Sequence, residues 1–157
     1  MLLTLASSGC RVSEVVTLTT PQLVSREGHF FVEVLGKNQT ETRLAPLTSE
    51  AYASIEAWLA RRPVEGEAIF TSFAGRGLRP TARPMHLSSA WRVVARYARQ
   101  SGLQHISPHS LRRFVGTQVA KKDLRQGQKI LGHADIGITA RHYLLDELAG
   151  GLTDGLF

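Results

Sequence analysis

Residues 107–117 read SPHSLRRFVGT and residues 131–143 read LGHADIGITARHY; these two stretches decide how the rest of the chain is read. Ser107-Pro108 sets a capping hydroxyl before a proline at the first helical position, a strong helix start. His109 and Arg112 lie three residues apart, so one face of that helix presents both. The first turn also offers unpaired N–H groups and the positive end of the helix dipole to an anion. His133 follows a Leu-Gly step, and Tyr143 comes ten residues after it.

Upstream, GCRVSEVVTL (9–18) places Arg11 at a helix start behind a Gly-Cys break, with Glu14 one turn on. FFVEVLGKNQTETRLAPL (30–47) reads as a strand over Phe30–Leu35, a turn, and a return strand over Thr42–Leu47, with Lys37 at the tip. Leu2, Leu3 and Leu5 begin a short helix that Ser7-Ser8-Gly9 ends. The next helix buries Val12, Val15, Val16 and Leu18 and breaks at Thr20-Pro21. Ser49 is the expected cap of a helix to Arg62 that turns Ile55, Trp58 and Leu59 inward. Ala68–Phe70 reads as a short strand, and Thr71 to Pro84 as a long basic loop. A helix from Leu87 to Gln100 is expected to bury Trp91, Val94, Ala95 and Ala98. Helices over Leu124–Leu131 and Ile136–Tyr143 complete the pattern, before a loose tail past Gly150. The expected fold class is mainly α with a small antiparallel β-sheet, in one domain over residues 1–157.

Composition narrows the partner. The 157 residues carry 19 Lys and Arg against 13 Asp and Glu, a net charge of +6, with a pI near 10.1. That excess favours a polyanion, nucleic acid first among them. Cys10 is the sole cysteine, which excludes an internal disulfide framework and a cysteine zinc cluster. The opening MLLTLASSGC lacks a basic lead and a long apolar run, so it reads as a core helix rather than a signal. No stretch approaches a membrane span, and with a single cysteine a reducing, cytoplasmic setting is expected.

The candidate residues suit attack on a phosphodiester. Displacement at phosphorus builds charge on nonbridging oxygens, and the guanidinium forks of Arg11 and Arg112 match that charge. Taken alone, each part has a plainer explanation. Arg11 with Glu14 could be a surface ion pair, His133 a structural histidine and Lys37 a solvated turn residue. Tyr143, among Ile138, Leu144 and Leu145, could be a packed aromatic. Its hydroxyl titrates near 10, so attack needs a base or cationic surroundings. Asp123, Asp135, Asp146 and Glu147 form no two-metal carboxylate set, and the histidines lack zinc-site spacing. No metal and no cofactor is expected.

The order Arg, Lys, His-x-x-Arg, His, Tyr resembles the tyrosine recombinase (phage integrase) family over nearly the whole chain. GCRVSEVVTL is similar to its first arginine box and FFVEVLGKNQTETRLAPL to its lysine hairpin. SPHSLRRFVGT is similar to its HxxR box, and LGHADIGITARHY to its final histidine and tyrosine box. The resemblance implies the integrase catalytic-domain fold and metal-free, ATP-free breaking and rejoining of DNA. Arg11 and Arg112 would clamp the scissile phosphate, and Lys37 would protonate the leaving 5′ oxygen. His109 would assist proton transfer, His133 would donate a hydrogen bond to the phosphate, and Glu14 would support Arg11. Tyr143 would attack, leaving a 3′-phosphotyrosyl link. The family's N-terminal core-binding domain is expected to be absent here. Full-length relatives act as a homo-tetramer on paired double-stranded DNA sites, whereas this domain alone could stay monomeric.

Arg76, Arg79, Arg83, Arg92, Arg96, Arg99 and Arg113 are the expected DNA contacts. Two rival readings stand beside recombination: a type IB topoisomerase-like enzyme that relaxes DNA, and a catalytically silent DNA-binding remnant or regulator of the same fold.

Overall fold

The computed structural model describes residues 1–36, 40–75 and 79–132. Lys37, Arg76, His133 and Tyr143 lie outside the described residues, as do the expected helix over 136–143 and the tail.

Helix α1 (Leu2–Ser8) occupies the centre and packs on α3, α5 and β3. Its Leu5 is fully buried. Gly9 ends it in the left-handed region at φ 63°, where a side chain is strained. A Cβ there would also stand 2.8 Å from Ile130 Cγ2 and 3.3 Å from Val115 Cγ1. Glycine therefore lets the end of α1 nest between two later helices. Helix α2 (Val12–Val16) is shorter than the apolar stripe suggested, ending at Thr17. Leu18 is buried beyond its end, and Thr20-Pro21 opens a single 3-10 turn over Thr20–Gln22.

Strands β1 (Leu23–Arg26), β2 (His29–Leu35) and β3 (Thr42–Leu47) form an antiparallel sheet in that order. β1 is absent from the sequence reading. Its link to β2 is the two-residue turn Glu27-Gly28, both at positive φ, as the twist of a tight hairpin favours. Val32 and Val34 face inward from β2, paired with Ala45 and Arg43 of β3. Alternation thus sets Arg43, Ala45 and Leu47 on the inner face of β3.

Helix α3 (Ser49–Arg61) is capped by Thr48, whose hydroxyl accepts from the Ala51 amide at 3.2 Å, not by Ser49. Phe30 of β2 stacks on Tyr52 of α3 with ring centroids 4.1 Å apart. Residues Ala68–Phe70 are buried but do not make the expected strand; only Ala68 bridges, to Thr19. Their backbone is claimed elsewhere: Ile69 N–H donates to Leu18 O, and Ile69 O accepts from Trp58 Nε1. The expected basic loop is instead a hairpin of β4 (Thr71–Ala74) and β5 (Arg79–Pro84). Its prolines fit because a two-stranded ribbon leaves each strand one unpaired edge.

Helix α4 (Leu87–Gln100) buries Ala90, Val94 and Ala98. Trp91 and Ala95, expected inside, are exposed, because the face turned to the body is the i, i+4, i+8 row. Helix α5 (Pro108–Lys122) starts at the Ser107 cap, and α6 (Leu124–Leu131) starts at Asp123 and ends at Gly132. The fold is mainly helical with two small antiparallel sheets among the described residues.

Candidate active site at an arginine-lined cleft

Arg11 is the N-cap of α2, in extended backbone conformation. Glu14, three residues on, reaches back: its Oε2 accepts from the Arg11 amide at 2.7 Å and its Oε1 from Arg11 Nη1 at 3.1 Å. The cap and the ion pair together aim a guanidinium whose side chain remains 37% exposed. Glu14 itself is buried, and Arg43 Nη2 donates to its Oε2 at 3.0 Å. Burial pushes the Glu14 carboxyl up, but the Arg11 amide and then the charge and hydrogen bonds of Arg43 and Arg11 outweigh it. The net shift is below the usual glutamate value.

Arg112 comes from the second turn of α5 and is 5% exposed. Its Nη1 donates to Gly9 O at 2.6 Å and its Nη2 to Leu131 O at 2.5 Å. A guanidinium plane fixed at two corners cannot rotate away. The two carbonyls end α1 and α6, so the same arginine joins three helices.

Arg11, Val12, Ser13, Trp91, Pro108, His109 and Arg112 line one cleft of about 360 Å³. His109 is exposed on the first turn of α5, held in place by the Ser107–Ser110 cap, where Ser107 Oγ accepts from the Ser110 amide at 3.1 Å. Two guanidiniums and an imidazole converge on that space beside the first turn of α5, whose Ser110 amide is taken by the Ser107 cap; the cations suit a tetrahedral oxyanion such as a phosphodiester. Cys10, next to Arg11, is buried, and burial pushes its thiol up, so it does not supply a nucleophile here.

The family profile for the phage integrases matches residues 1–147. The chain belongs to the phage integrase family. The tyrosine recombinase XerC of Pseudomonas syringae pv. syringae (strain B728a) is 37% identical over 147 residues, covering 90% of this chain and 46% of the relative. The XerC of Stutzerimonas stutzeri (strain A1501) is 40% identical over 143 residues, covering 89% and 45%. The chain spans about half the length of the curated relatives it matches. Among solved structures, the XerA recombinase superposes with a TM-score of 0.74 at 22% identity, over 93% of this chain and 52% of that one. XerH bound to its difH substrate before cleavage gives 0.74 at 23%, over 90% and 40%. At such identities these two show the fold, the integrase catalytic-domain fold. Family and fold together make this chain a tyrosine recombinase catalytic domain.

Of the integrase-type residues read from sequence, Arg11, His109 and Arg112 meet at the cleft and Glu14 lies beneath Arg11. Lys37, His133 and Tyr143 lie outside the described residues. Arg79, Arg83, Arg92, Arg96, Arg99 and Arg113 are all exposed, and Arg76 lies outside the described residues. Arg92, Arg96 and Arg99 form a ridge on α4, at i, i+4 and i+7, away from its buried row. Two residues escape the sequence reading. Trp91, read as core, is 45% exposed and lines the cleft. Arg43 stands unremarked within a strand; its signal is a charge at an inner-face position, which demands a partner. Among the described residues no helix is long and apolar enough to cross a membrane.

Proposed function

We propose that this chain breaks and rejoins double-stranded DNA at specific sites by attack of Tyr143 on a phosphodiester. One observation carries the reading: Arg11, His109 and Arg112 converge on a single cleft at the N-terminus of α5. Arg11 and Arg112 hold the nonbridging oxygens and stabilise the charge that builds on them. The Tyr143 oxygen bonds to phosphorus as its proton passes toward His109. The bond from phosphorus to the 5′ oxygen breaks, and that oxygen takes a proton from Lys37. His133 donates a hydrogen bond to the phosphate. The product is a 3′-phosphotyrosyl ester and a free 5′ hydroxyl, so a second 5′ hydroxyl can reverse the step with no ATP. Side chains supply nucleophile, acid and cations, and the step balances without metal or cofactor.

The Tn1549 transposon integrase, similar in fold, was solved in complex with circular intermediate DNA, which supports DNA as the partner here. Contact is largely electrostatic, through the α4 ridge, Arg79, Arg83 and Arg113, with Arg76 added from sequence. A DNA substrate places the protein at the nucleoid, and recombination proper uses a tetramer on paired sites.

Covalent trapping tests the reading. The chain, and any longer form its gene encodes, is mixed with nicked DNA from around that gene and resolved under denaturing conditions. A DNA-linked peptide at Tyr143, lost in Tyr143→Phe, is the expected result. DNA binding without any adduct would instead make the chain a silent DNA-binding relative, and relaxation of supercoiled DNA without exchange would make it a topoisomerase.

A further inference from the structure

Arg43 sits on the inner face of β3, opposite the buried Val34. Its side chain is 12% exposed. Its Nη2 donates to Glu14 Oε2 at 3.0 Å and its Nε to Ile130 O at 3.1 Å. Its Nη1 is buried with no hydrogen-bond partner among the described residues. Gly132 presses on the same group: a Cβ there would stand 2.9 Å from Arg43 Nε and 3.2 Å from Cδ. Packing alone does not ask for a charge in this place. An apolar side chain of similar length would fill the space without stripping water from a guanidinium.

The contacts make sense as a brace. One end of Arg43 holds Glu14, which in turn fixes both the amide and the guanidinium of Arg11. The other end holds the last turn of α6, whose next carbonyl, Leu131 O, takes Arg112. We infer that Arg43 is a positioning residue for DNA cleavage, locking Arg11 and the α6 terminus into one relative placement. The backbone that leads into His133 thereby starts from a point tied to both cleft arginines. Arg43 lines no part of the cleft described above, so it acts through Glu14 and Ile130 rather than on the phosphate. This inference rests on the cleavage reading above.

Two measurements on the wild type, Arg43→Met and Arg43→Lys test it. The first is the rate of Tyr143 adduct formation on nicked DNA per folded molecule, alongside the DNA Kd. The second is amide hydrogen exchange of the free protein over residues 10–16 and 128–132. Arg43→Met is expected to slow adduct formation by about 10- to 100-fold, the scale of a small misplacement, with Kd within about threefold because a buried arginine neutralises no phosphate. Exchange should quicken in both segments together. Arg43→Lys should bring exchange part of the way back but not the rate, since an ammonium lacks the planar fork that meets Glu14 and Ile130 O in fixed geometry. An unchanged rate per folded molecule, or faster exchange confined to one segment, overturns the brace. If the wild type forms no adduct, the cleavage reading fails while the exchange arm still decides whether Arg43 couples the two segments. If Arg43→Met does not fold, Arg43→Lys carries both measurements.

Discussion

The buried carboxylate of Glu14 accepts a hydrogen bond from Arg43 Nη2 at 3.0 Å, across 29 residues of chain. That contact joins the first arginine box to the hairpin strand and lets one acid hold two cations. Arg11 keeps its exposure toward the cleft because Glu14, not solvent, satisfies its inner edge.

Acidification should remove part of this support. The folded-state pKa of Glu14 lies below its unfolded value, so its stabilisation is complete above the ordinary glutamate range. It is lost as pH falls from that range through the folded pKa. Glu14→Gln should flatten this acid limb in thermal melts. At neutral pH it should cost about 2–4 kcal/mol, because two buried or half-buried guanidiniums lose their counter-charge.

Gly9→Ala should be severely destabilising. The residue sits at φ 63° and its Cβ would meet Ile130 Cγ2 at 2.8 Å. Backbone strain and overpacking together should cost about 2–4 kcal/mol. Chemical denaturation of Gly9→Ala with and without Ile130→Ala should show only partial rescue, since relief of the clash leaves the φ penalty in place.

Arg112→Lys should fail despite keeping its charge. A lysine lacks the planar fork whose two corners donate to Gly9 O and Leu131 O, so its charge is not held in the same place. Adduct formation should fall by about 10²-fold or more, with a smaller loss in DNA affinity. Wild-type cleavage in Arg112→Lys would remove Arg112 from the phosphate clamp.

Replacing Arg92, Arg96 and Arg99 together by Ala should leave the melting temperature nearly unchanged, since all three are exposed. The slope of log affinity against log salt should become shallower by about 0.9 for each phosphate that the variant no longer neutralises. An unaltered slope, measured by titration at several salt concentrations, would take the α4 ridge out of the DNA interface.

Cys10 should resist thiol reagents in the native state. It is buried and its thiol is pushed up, so little thiolate is reachable. Modification should track unfolding in denaturant, giving a single-site probe of global opening.

Much of the fold is legible locally. Ser107-Pro108, the Thr42–Leu47 strand, and the Leu87–Gln100 and Leu124–Leu131 helices follow from caps, breakers and periodicity, which act within a few residues. The failures share a cause. Ala68–Phe70 has the composition of a strand, yet its backbone partners come from Leu18 and the Trp58 indole. Trp91 looks like core because apolar spacing cannot tell a row that faces a neighbour from one that faces a cleft. β1 carries no strong alternation and is held by its turn and by its pairing with β2.

The residue types able to carry the chemistry, their order, and the helix starts that bear Arg11, His109 and Arg112 can all be read along the chain. Those are short-range facts of capping, charge and spacing. That these three residues share one cleft, with Arg43 standing behind them, follows from long-range packing. Gly9 O and Arg112 meet across 103 residues, and Arg43 and Ile130 across 87. No local rule reaches so far. Such pairings are set by how buried faces pack, and packing chooses which cation finds which carbonyl.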